Sequence, residues 1–213
     1  MTTQTIDQER LASITSLSPG KHSRREDGMC LLEAVAYVRH QEHTDRPACV
    51  SPVIAALGRV MNDGPFSNRL SELIPLIPRL VGTVASEDVE RQRGYILTDW
   101  AVREMAPIAF DAAELTEEAA KLRAVAPVVD EETAQTALCA AARAARAAEA
   151  ARAAEAARAA WAAWAAEAAR AAWAAWAAWA ARAERDAKAA EIRASCLRLM
   201  DRLIACGSEE VMP

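Results

Sequence analysis

The side chains with the most chemistry in this 213-residue chain gather near its start, where Cys30, Glu33, His40, His43, Asp45 and Cys49 lie close together. Cys30, His43, Asp45 and Cys49 carry donors that suit zinc. The paired C-x-x-C or H-x-x-x-H spacing of a closed zinc site is missing, so a buried cysteine and a loop histidine account for the same letters, and no metal or cofactor is expected. Glu33 interrupts an apolar stretch, Met29 to Val38. A carboxylate buried there must find a partner. Arg59 or Arg79 could supply it, and a structural ion pair between Glu33 and Arg79 is the expectation. No phosphate-cradling glycine loop and no Ser-His-Asp arrangement is visible.

The block Asp27-Gly28-Met29-Cys30-Leu31-Leu32 resembles the Asp-Gly-x-Cys-Leu block of OTU-type cysteine proteases. That resemblance implies a Cys30 nucleophile in the first turn of a helix, whose dipole would lower the thiol pKa, with His43 or His40 as its base. The likeness covers some eight residues. It departs from the family in a central respect, because OTU-type enzymes place their histidine far downstream and no histidine follows position 43 here.

The elements that must position these groups all read as helices. Asp27 offers an N-cap for a helix from about Gly28 to His40. Ser51-Pro52 starts the next one, which stops at Asp63-Gly64-Pro65. Ser67 can cap a further helix, interrupted by Pro75 and Pro78, and a short turn carrying LIPRLV ends at Gly82. Ser86 can cap a helix to about Met105, where Pro107 forces a break or kink. Thr116 caps a short helix that stops before Pro127. Period-two alternation is absent, so the chain reads as all-α: a multi-helix domain with one very long alanine-rich C-terminal helix. The expected divisions are a polar N-terminal segment at 1–26, a helical domain at 27–127, the long helix at 128–207 and a tail at 208–213. The first segment reads as a solvated lead-in with a short helix around Asp7 to Ser16.

From Asp130, a good N-cap, to Cys206 there is neither Gly nor Pro, and Gly207 supplies the stop. Most of this stretch repeats Ala-Ala-X, with X drawn from Arg, Glu and Trp. Alanine has the highest helix propensity, and opposite charges three apart along Arg146, Glu149, Arg152, Glu155 and Arg158 add a few tenths of a kcal/mol per pair. A three-residue step advances about 300° around a helix, which places Trp161, Trp164, Trp173, Trp176 and Trp179 on one half of the cylinder. At ~150–250 Å² each, these indoles are a large apolar surface to leave in water. An unbroken helix from Glu131 to Ala205 would span roughly 110 Å, and the favoured expectation is that it projects and finds a partner, with a fold back as a hairpin the alternative. A nine-base repeat of this kind also lengthens readily by replication slippage.

Residues 28–38 (GMCLLEAVAYV), 43–59 (HTDRPACVSPVIAALGR), 76–83 (LIPRLVGT) and 98–100 (TDW), followed by the Ala/Trp-rich tail, resemble a family of uncharacterised actinobacterial and phage-encoded proteins. The likeness covers most of the chain. Relatives in that family often carry His where Arg46 stands, a departure that weakens a metal site further. The family brings no activity, so no functional residue is carried over from it.

A formal net charge of −5 with acids and bases interspersed argues against a nucleic-acid partner, and the balanced charges of the repeat argue against a membrane surface. Five irregularly spaced cysteines are no disulfide framework. With no secretory h-region and no apolar run of ~18 residues, a cytoplasmic protein without a transmembrane segment is expected. The function expected is a non-enzymatic interaction or assembly module, bound to itself or to another protein through the Trp/Ala helix. A Cys30-centred hydrolase and a helical metal-binding module at Cys30, His43 and Cys49 are the alternatives.

Overall fold

The computed structural model describes residues 5–64, 69–151 and 185–207. Among them there is no strand. The α-helices are α1 (Gln8–Ser13), α2 (Leu31–Val38), α3 (Pro52–Asp63), α4 (Arg69–Leu73), α5 (Ile77–Leu80), α6 (Glu87–Trp100), α7 (Ala106–Ala112), α8 (Thr116–Arg123), α9 (Glu131–Ala151) and α10 (Arg185–Ala205). No helix of the described residues is long and apolar enough to cross a membrane.

Local sequence explains most helix ends. Ser51 Oγ accepts from the Ile54 N–H at the start of α3, with Pro52 in the first turn. Ser86 Oγ accepts from the Val89 N–H before α6, Asp130 Oδ1 accepts from the Thr133 N–H before α9, and α10 ends just before Gly207. Two starts differ from expectation. Helix α2 is capped by Cys30 rather than Asp27, because Gly28 sits at φ +124° and turns the chain between a 3-10 turn at Arg25–Asp27 and the helix. Thr116 is the first residue of α8 rather than its cap.

Pro107 produces no break. The chain passes from α6 into α7 through a π-helical turn, Ala101–Met105, in which the Ala106 N–H bonds the Ala101 carbonyl. A proline lacks an N–H and crowds the carbonyl four residues back. Widening the turn before it lets the helix continue.

The chain divides into two compact units, 1–90 with 204–213, and 91–203. The division falls inside α6. In the first unit α2 packs against α1, α3 and α5. Its buried residues include Leu31, Leu32, Val35, Ile54, Leu57, Met61, Ile77 and Leu80. Helix α3 comes close to α2 at Gly58, where a Cβ would stand 3.3 Å from Leu32 Cδ2. The N-terminal segment is part of this unit and no solvated lead-in, since Ile14 and Leu17 are buried. Ser18 N–H donates to the Met29 carbonyl and Gly20 N–H to Asp63 Oδ1.

In the second unit Val102, Leu122, Val128, Ala137 and Ala144 form one apolar cluster, and α9 packs directly on α8 and on the π turn. Helix α10 buries Ile192, Ser195, Cys196, Leu199, Met200 and Leu203, a stripe at spacings of three and four down one side. Trp100 Nε1 donates to Ser195 Oγ at 2.7 Å. A straight helix would carry Ala137 and Ser195 roughly 87 Å apart, yet both sit against the same stretch, residues 100–105. Helices α9 and α10 are therefore not collinear pieces of one straight rod.

Candidate functional site

In the first unit the chemistry converges on Glu33, which is fully buried. It lies in the first turn of α2 and forms a reciprocal capping box with Cys30. The Glu33 N–H donates to Cys30 Sγ at 3.4 Å, and the Cys30 N–H donates to Glu33 Oε2 at 2.8 Å. The other partners of the carboxylate arrive from loops. His22 N–H donates to Oε1 at 2.8 Å, and His22 Nδ1 stands 2.8 Å from Oε2. His43 Nε2 lies 3.6 Å from Oε1 and 3.2 Å from the His22 carbonyl. Burial pushes the Glu33 pKa up, but the hydrogen bonds from the Cys30 and His22 backbone and from the His22 ring outweigh it, and the net shift is downward.

The Glu33–Arg79 pair expected from the sequence does not form. Histidine fills the role, because the chain before α2 folds back over its N-terminus instead of staying in solvent. His22 is the residue that reading the sequence missed. The available signal was the Ser18-Pro19-Gly20 turn next to the apolar Ile14 and Leu17, which marks a segment that reverses and packs.

Burial works against activation of Cys30. Burial first, and the neighbouring Glu33 charge in addition, raise its thiol to about 12, the opposite of what a helix N-terminus does for an exposed thiol. His40 is engaged elsewhere, with Nε2 2.8 Å from Asp7 Oδ2. At pH 8 Cys30 is expected to react with iodoacetamide roughly a thousandfold more slowly than an unperturbed thiol. The exposed Cys139 is the internal reference, and mass spectrometry of the alkylated peptides reads both rates. Modification of Cys30 as fast as Cys139 would restore it as a nucleophile.

Cys49 is buried with Sγ 4.0 Å from Gln41 Oε1, and Asp45 pairs with Lys21. Among the described residues no three His, Cys, Asp or Glu side chains are grouped to hold a metal. Cys30, His43 and Cys49 are therefore not brought together as ligands.

In the second unit the seat of α10 is built from α6 and the π turn. Trp100 is 2% exposed, and its indole N–H would be costly to bury unbonded. Ser195 Oγ accepts it and donates in turn to Glu104 Oε2 at 2.8 Å, while Arg202 NH1 lies 3.9 Å from Glu104 Oε1. Arg93, 1% exposed, donates from Nε to the Leu203 carbonyl in the last turn of α10, where a cation also complements the helix dipole. Asp99 accepts from the Val128 N–H and pairs with Arg103, fixing the approach to α9. Trp161, Trp164, Trp173, Trp176 and Trp179 lie outside the described residues. Comparison with protein-family models, curated proteins and solved structures gave no match.

Proposed function

We propose that the protein is a helical assembly module that binds a second copy of the chain through Trp161, Trp164, Trp173, Trp176 and Trp179. The observation that supports this reading is the docking of α9 and α10 on the same six residues of α6 and the π turn. Alanine faces let helices approach closely, and the five indoles, which helical spacing would bring to one side, offer the apolar area that association needs.

The test is light scattering on the full chain as eluted from a sizing column. The wild type is expected to be a dimer or larger. The triple variant Trp161→Ala, Trp173→Ala, Trp179→Ala is expected to be monomeric with its helical circular dichroism retained. A wild type that stays monomeric at the highest soluble concentration would overturn the proposal. A heterologous partner on the same surface would then be the reading to pursue.

A further inference from the structure

The buried carboxylate of Glu33 leaves one reactive atom over. Glu33 is held below the usual carboxylate range and so only accepts hydrogen bonds. Its bond to His22 Nδ1 therefore places the proton of a neutral ring on Nδ1 and the lone pair on Nε2. No polar group of the described residues bonds His22 Nε2. That atom faces Gly28, where a Cβ would stand 3.1 Å from Nε2 and 3.0 Å from Ser18 Oγ. Hydroxyl and imidazole thus both crowd the Cα of Gly28 and lie within about 6 Å of each other. They are not hydrogen-bonded to each other. Catalytic contacts are commonly long before substrate arrives.

The serine is placed by backbone on both sides. Its N–H donates to the Met29 carbonyl, and its carbonyl accepts from Asn62 Nδ2, whose Oδ1 accepts from the Leu31 N–H. Asn62 is itself buried. The Ser18 hydroxyl, by contrast, has no bond within the described residues. The order carboxylate, imidazole Nδ1, imidazole Nε2, hydroxyl is that of a serine nucleophile with its base and orienting acid.

We propose that Ser18, His22 and Glu33 form an acyl-transfer site for small activated esters. Ser18 Oγ bonds to the acyl carbon as its proton passes to His22 Nε2. The bond from that carbon to the leaving alkoxide breaks, and His22 returns the proton to the alkoxide. Water then attacks the Ser18 ester, again losing a proton to Nε2, and the acid departs with the hydroxyl restored. Glu33 holds the ring in the required tautomer and is a positioning residue. This site rests on residues of the first unit alone and is independent of the assembly reading.

The full-length chain treated with a fluorophosphonate probe is expected to carry a single adduct on Ser18 by peptide mass spectrometry, and to release nitrophenolate from 4-nitrophenyl acetate in a burst. Ser18→Ala should abolish both with unchanged circular dichroism, since the hydroxyl supports no described contact. His22→Gln should slow labelling at least about 100-fold, the usual weight of a general base. Absence of a Ser18 adduct on the folded wild type would overturn the proposal. So would labelling of a folded His22→Gln variant at the wild-type rate.

Discussion

Replacing Glu33 with Ala is expected to cost about 3–5 kcal/mol of folding stability, the usual consequence of removing one member of a buried charged network. The loss is larger than that of one ion pair because three elements meet on this carboxylate. It closes the first turn of α2 through the Cys30 N–H, holds the His22 backbone and ring, and lies beside His43. Glu33→Gln keeps the shape and one acceptor and should cost less. The pH dependence carries a sign that separates charge from shape. The folded pKa of Glu33 lies below its ordinary 4.5, so the folded state binds fewer protons than the unfolded one in the acid range. Its contribution is complete above 4.5, falls away as pH drops through the folded value, and disappears in Glu33→Gln. Urea unfolding at neutral and acid pH, wild type against the two variants, measures all of this. A Glu33→Ala variant within about 1 kcal/mol of wild type at neutral pH would mean that the network is an ornament.

The second large effect is expected at Trp100. Trp100→Ala removes the largest fully buried side chain among the described residues and should cost about 3–5 kcal/mol. Trp100→Phe keeps most of the packing but leaves Ser195 Oγ without its indole donor, and should cost about 1–2 kcal/mol. The distinguishing readout is local. Amide exchange in α10, from Ile192 to Leu203, should accelerate in Trp100→Ala, because the stripe that α10 buries loses its central partner. Stability lost without any change of exchange in α10 would separate Trp100 from the seating of that helix.

Both effects show what the sequence makes legible and what it hides. Helix starts at Ser51-Pro52, Ser86 and Asp130 and the stop before Gly207 were readable because capping is local: the cap and the N–H it satisfies lie within three or four residues. The all-α class followed from the same local signals. Helix α2 begins three residues later than the start at Gly28 that an Asp27 cap suggests, with Gly28 at positive φ and Ser18 and His22 packed closely around it. The partner of Glu33 was hidden for a related reason. Arginine is the commonest answer to a buried carboxylate, whereas His22 reaches it only because a polar-looking segment folds back over the helix start. Pro107 signals a break by its chemistry, but the π turn absorbs it within one turn.

The alanine-rich segment marks the limit most clearly. Its composition makes helix formation evident and says nothing about direction, because an Ala-Ala-X repeat has no residue that marks a reversal. What the sequence does not mark is the tertiary partners of its two described ends: Ser195 meets the Trp100 indole, and Ala137 and Ala144 join the cluster of Val102 and Leu122.

The seating of α9 and α10 is best tested by a single distance. Nitroxide labels on cysteines introduced at the exposed positions Gln135 and Arg198, with Cys139 and Cys206 changed to Ser and the labelled chain diluted into unlabelled protein, report it by double electron–electron resonance. With α9 and α10 both seated on α6 and the π turn, the distance should fall below about 40 Å, whereas a straight helix would hold the two labels roughly 95 Å apart. A distribution centred beyond about 60 Å would contradict the seating of both helices on that stretch and, with it, the observation behind the proposed assembly.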